Sequence, residues 1–155
     1  MVQYDHEPEN VLYMPQPNGK AEVYIRFDIQ RVESDEGVYW QAEEVCRETA
    51  LSREEIEANA AAFFFKWSGL QAELTAAVQE YMDKTVNMRN YDNIFTACSY
   101  ANSTDPRFKA EGEACIAWRD AVWNDCYAIL ADVQAGQRHI PSVDELIAEL
   151  PALEW

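Results

Sequence analysis

The sequence predicts an α+β protein: an N-terminal extended arm and antiparallel β-hairpin, followed by a mainly helical body with one long C-terminal helix. Three observations carry this. From Glu22 to Val32, Val23, Ile25, Phe27 and Ile29 alternate with Tyr24, Arg26, Asp28 and Gln30, the period of a half-buried strand. Between Asp105 and Gly136, Phe108, Cys115, Trp118, Val122, Cys126, Ile129 and Val133 recur at intervals of three, four or seven, which draws one apolar stripe along a helix. Two Ser-x-x-Glu boxes, at Ser52 and Ser142, open further helices.

In chain order, residues 1–21 read as an arm. Pro8, Pro15, Pro17 and the Asn18-Gly19 pair punctuate it, and Val11-Leu12-Tyr13-Met14 is its one apolar patch, which either docks on a groove or on the body of its own domain or belongs to a loosely tethered terminus. Residues 22–89 hold the hairpin and helices. Ser34-Asp35-Glu36-Gly37 has turn chemistry, and Val38 to Glu43 reads as the returning strand, with no third strand evident. The Ser52 box starts a helix through Ile56, Ala60, Phe63, Phe64 and Trp67; Ser68-Gly69 breaks it, and a second helix runs through Leu70, Leu74, Val78, Tyr81 and Val86. Residues 90–155 form a helical module. Asp92 is the expected cap of a short helix over Ile94 to Ala101. Asp105 caps the long helix, Pro106 suits its first position, and Gly136 suits its exit. A short helix then passes Leu146, Ile147 and Leu150 and stops at Pro151. Trp123, Tyr127 and Leu130 lie beside the long stripe and widen it, so packing from more than one side is expected.

Composition narrows the function. Hydrophobic residues at 48% exclude wholesale disorder. The net charge of −16 is spread along the chain, with four basic and eleven acidic groups in residues 1–50, four and seven in 51–100, and four and ten in 101–155. Such a field opposes nucleic acid and anionic membrane as partners. No apolar run reaches the ~18 residues of a membrane span, and no leader-like segment opens the sequence, so synthesis in a cytoplasm is expected. The four cysteines show no C-x-x-C spacing; Cys115 and Cys126 are separated by about 16 Å of helix, too far for a disulfide within it. They read as small buried hydrophobes.

Neither histidine, His6 or His139, sits in a catalytic motif, and no phosphate-cradling glycine loop is present. Asp120 and Asp125 read as a solvated helix face. Glu111 with Asp132, or Glu54 with Glu57, could touch a calcium ion, but no twelve-residue calcium loop exists. The expectation is therefore no enzyme, no cofactor and no metal. The candidate partner interface is aromatic: Tyr13, Phe64, Trp67, Trp123, Tyr127 and Trp155.

One stretch is distinctive. Tyr91-Asp92-Asn93-Ile94-Phe95-Thr96-Ala97-Cys98-Ser99-Tyr100-Ala101, Phe108 and Ala117-Trp118-Arg119-Asp120-Ala121-Val122-Trp123, continued by Val133-Gln134-Ala135-Gly136, Pro141-Ser142-Val143 and Leu150-Pro151, resembles a C-terminal helical module of tailed-phage tail-fibre, tail-fibre assembly and accessory proteins. The resemblance covers about the last 65 residues. It implies a virion adaptor or a fibre-assembly chaperone, made in the host bacterial cytoplasm and located in the virion tail if structural. Implied partners are tail-fibre or baseplate proteins, with a trimer if parallel copies meet along the long helix. The rival from another class is an acidic DNA mimic that inhibits a host defence nuclease, motivated by the net charge.

Overall fold

A computed structural model describes residues 1–155, all of the chain, and confirms the α+β class with a long helix near the C-terminus. The chain forms two compact units, Met1–Gln71 and Ala72–Trp155. No helix is long and apolar enough to cross a membrane.

The first unit is built on a four-stranded antiparallel sheet of order β1-β4-β3-β2. Its strands are β1 (Val2–Tyr4), β2 (Val11–Pro15), β3 (Ala21–Ser34) and β4 (Gly37–Thr49). The stretch expected to be an extended arm supplies both edge strands, with Val11 opposite Ile25 and Val2 opposite Ala42, so its Val11–Met14 patch docks on its own domain. The reason is physical: a lone hairpin leaves two rows of backbone donors and acceptors unpaired, and short flanking segments satisfy part of each row. β2 ends at Pro15, which has no N–H to donate. Its turn into β3 closes with Gly19 N–H on Gln16 O at 3.2 Å and Gln16 N–H on Lys20 O at 2.8 Å, and Gly19 takes φ +79°. That backbone suits glycine, as in a three-residue hairpin loop.

The alternation in β3 holds for Val23 and Ile25, both fully buried, and then shifts. Phe27 pairs with Glu43 but Gln30 pairs with Gln41, so Asp28 and Ile29 together face one residue, Ala42. Asp28 sits at φ +52°, the left-handed turn of a bulge. Beyond it Gln30, not Ile29, continues the face of Phe27, which corrects the uninterrupted pattern expected over residues 22–32. Val11, Ala21, Val23, Ile25 and Val45 are buried with Ile56 of α1 (Arg53–Ala58) and Phe64 and Phe65 of α2 (Ala60–Ser68). Phe27 stacks on Phe64 at 5.4 Å and meets the edge of Phe65 at 5.6 Å. The single helix expected from Ile56 to Trp67 is two, because Asn59 leaves helical geometry at φ −131°. On strands β1, β3 and β4, Tyr4 O–H and Arg26 Nε–H both reach Glu44 Oε2, at 2.6 and 2.8 Å. This clasp ties a three-residue edge strand to the middle of the sheet.

The second unit is helical: α3 (Leu70–Asn87, beginning two residues before the boundary), α4 (Ile94–Ser99), a 3-10 turn (Tyr100–Asn102), α5 (Pro106–Gln134) and α6 (Val143–Glu149). The caps follow the sequence with one correction. Asp105 Oδ1 accepts from the N–H groups of Arg107 and Phe108, and Ser142 forms the reciprocal box with Glu145. Helix α4, however, is capped by Asn93 rather than Asp92, with Asn93 Oδ1 accepting from Thr96 N–H at 2.9 Å. The helix begins at Ile94 as expected, and a partner distant in the chain holds its first turn: Asp83 of α3 accepts the Ile94 N–H at 2.8 Å.

The core of this unit gathers Val78, Met82 and Val86 of α3, Ile94, Ala97 and Cys98 of α4, and Cys115, Trp118 and Val122 of α5, with Leu146 and Leu150. Trp118 Nε1–H donates to Pro151 O at 2.7 Å, and the Tyr81 ring meets Trp118 edge-on at 5.8 Å. Gly112 is buried where α5 crosses the 3-10 turn; a Cβ there would sit 2.5 Å from the Tyr100 carbonyl carbon and closer still to the Ala101 nitrogen. Both neighbours are backbone and cannot rotate away. Gly112→Ala should therefore lower the stability of the second unit by about 3 kcal/mol, the upper end of overpacking costs, measured by thermal or urea unfolding. An unchanged midpoint would show that α5 and the turn do not approach as described.

Candidate interaction surface

An aromatic ridge lies on the second unit. Tyr91, which follows α3, stacks on Trp155 (centroids 6.3 Å apart, 15° between planes) and meets Tyr100 edge-on at 5.2 Å. Tyr100 in turn contacts Phe108, in the first turn of α5, at 5.7 Å. An arginine caps each end: Arg89 lies over Trp155 at 4.4 Å and Arg107 over Phe108 at 4.5 Å. Tyr91 is buried at 7% exposure, whereas Trp155 and Tyr100 are each 38% exposed. The buried Tyr91 ring thus supports the two partly exposed ones.

Glu111, one turn along α5 from Arg107 and Phe108, fastens the ridge from beneath. Its carboxylate accepts Tyr91 O–H at 2.6 Å and Arg89 Nη1–H at 2.8 Å. The tyrosine hydrogen bond, then Arg89, hold the Glu111 carboxyl below the usual carboxylate range against the opposing effect of burial. Burial, followed by the bond to Glu111, pushes the Tyr91 phenol up to about 12. Partly exposed rings with guanidinium groups laid over two of them bring apolar surface and directional donors together at one place. Close in sequence, Met88 and Phe95 are also exposed, at 76% and 64%.

The six residues proposed from sequence divide between the units, and no two of their rings stack. Tyr13, half-buried in β2, donates its hydroxyl to Leu51 O at 2.9 Å. Phe64 is 2% exposed and belongs to the sheet core, which corrects its assignment to a partner surface: its neighbour on β3, Phe27, covers it. Trp67 is half-buried with its ring 5.2 Å from Phe63. Trp123 packs half-buried against the helical core, Tyr127 is 67% exposed, and Trp155 ends the ridge. Sequence reasoning missed Tyr100, Arg89 and Arg107 as surface elements and Tyr91 as their buried support. Their signal was present only as an unusual density of aromatic residues between 91 and 108.

Other reactive groups are placed plainly. All four cysteines are free, and burial pushes the Cys115 thiol up to about 11, the behaviour of an inert packing residue. Asp120 pairs with Arg119 at 2.8 Å, and His139 lies 3.8 Å from Glu145. No group of three His, Cys, Asp or Glu side chains is arranged to hold a metal ion.

Because the folded Glu111 carboxyl titrates below its unfolded value, its contribution is present above the ordinary carboxylate range, around pH 4.3, and is lost as pH falls through the lower folded value. Glu111→Gln should cost about 1 kcal/mol at neutral pH, a charged hydrogen bond discounted for partial exposure, and should make the acid limb of the stability curve shallower. Unfolding midpoints across acid pH, wild type against variant, check both; parallel curves would contradict the role given to Glu111.

A scan against protein-family models, a search of curated proteins and a search of solved structures each return no match for this chain.

Proposed function

We propose that this chain is a structural or accessory protein of a phage tail or tail fibre, a virion adaptor or fibre-assembly chaperone that acts through protein–protein contacts. The observation that carries the reading is the aromatic ridge, with Trp155 and Tyr100 displayed on a rigid base of Tyr91 and Glu111. Large rings held in place lose little side-chain entropy on binding and serve as anchors at protein interfaces. Support also comes from the coincidence of the ridge with the segment whose residues resemble tail-fibre accessory modules. That segment lies within one compact unit with a core of its own.

The DNA-mimic alternative draws on charge. Six basic and fourteen acidic groups, 6 − 14 = −8, fall in residues 1–71, and the same tally falls in 72–155. The charge divides evenly between the two units, neither of which carries the excess alone, and Arg26, Arg89 and Arg138 each pair with a carboxylate. The tail reading is therefore the one adopted.

Mass spectrometry of purified virions tests it. A virion adaptor appears at fixed stoichiometry; a chaperone is absent from particles, yet its deletion makes the fibre protein insoluble. In either case Tyr100→Ala with Trp155→Ala should weaken capture of the fibre or baseplate partner at least about tenfold, the effect of removing a typical anchor, while leaving the unfolding midpoint of the first unit unchanged. Binding that survives the double variant, or that collapses with moderate salt as a charge-driven complex would, overturns the reading.

A further inference from the structure

The β2–β3 turn holds a chemistry that neither the sheet nor the ridge uses. Asn18 is the only asparagine of the chain followed by glycine, the residue whose backbone nitrogen is least shielded. Asn18 is exposed, and its carboxamide is held at both ends. Oδ1 accepts from the Lys20 backbone N–H at 3.0 Å, and Nδ2–H donates to Glu48 Oε1 at 3.1 Å. Lys20 Nζ stands 3.2 Å from that same carboxylate oxygen. An N–H on the amide oxygen is what a tetrahedral intermediate at Cγ requires. A carboxylate and an ammonium beside the amide nitrogen can receive and deliver the proton that a departing ammonia needs.

We propose that Asn18 is a self-modification site that converts through a cyclic imide to aspartate and isoaspartate. The Gly19 backbone nitrogen, after its proton passes to a base, attacks Asn18 Cγ. The new N–Cγ bond forms, the Cγ–Nδ2 bond breaks, and the nitrogen leaves as ammonia carrying one added proton. Water then opens the ring: addition at Cγ yields aspartate, and addition at the Asn18 backbone carbonyl yields isoaspartate. Water is the sole co-reactant and nothing is oxidised or reduced. The Gly19 N–H bond to Gln16 O, at 3.2 Å, must open first, so the step follows fluctuation of the turn rather than unfolding of the sheet.

The product alters the edge of the sheet. A donor to Glu48 becomes a second carboxylate facing it, and the isoaspartate form lengthens the backbone of the turn whose closing bond is Gln16 N–H on Lys20 O. The test incubates the purified full-length chain at neutral and alkaline pH, followed by peptide mapping and enzymatic methylation of isoaspartate. The peptide containing residue 18 should gain about 1 Da, the exchange of –NH2 for –OH, ahead of those containing Asn10 or Asn102, and faster at the higher pH. Asn18→Gln should abolish the change, and Glu48→Gln, outside the turn, should slow it several-fold. Conversion at Asn18 no faster than at Asn102, or a rate untouched by Glu48→Gln, overturns the proposal.

Discussion

A helix of 29 residues gains from its apolar stripe only where other elements lie against it, and in the second unit two contacts decide where that happens. Gly112 lets the backbone of the 3-10 turn touch the backbone of α5, closer than any side chain allows. Two turns further on, the Trp118 indole N–H finds the Pro151 carbonyl, so the largest side chain of the core is buried without stranding its one polar atom. Pro151 follows α6, and its carbonyl has no helical partner of its own, so the bond satisfies both groups at once. The remaining core residues fill the space these contacts define.

The aromatic ridge is a consequence of the same close approach. Gly112 brings the 3-10 turn onto α5, which sets Tyr100 beside Phe108, and Glu111, the residue before Gly112, then reaches Tyr91 and Arg89. A glycine buried in the interior and a ring displayed at the surface are therefore parts of one arrangement. This coupling sets partly exposed rings on a packed base.

The first unit solves a different problem, that of unpaired strand edges. β3 and β4 are long, and the flanking strands are short, so the bulge at Asp28 and Ile29 and the charged residues on β4 limit further pairing. Arg26 meets Tyr4 and Glu44 together, and its side chain is only 10% exposed there. With a net of −8 in this unit, such a pair offsets local repulsion more than it adds net stability.

Local signals by themselves determined the α+β class, the long helix with its Asp105 cap and Gly136 exit, both Ser-x-x-Glu boxes, and the hairpin of β3 and β4. Each depends on residues within a turn or two of one another, which is why a linear reading reaches them. Tertiary structure alone decided that residues 1–21 join the sheet, that a bulge re-aims β3, that Asn93 rather than Asp92 caps α4, that Phe64 is core while Tyr100 is surface, and that Trp155 stacks on Tyr91. Those outcomes turn on partners distant in the chain: Ile25 for Val11, Asp83 for Ile94, Phe27 for Phe64, and Tyr91 for Trp155. A side chain's composition states what it can bury or bond, and only the folded path states what arrives to meet it.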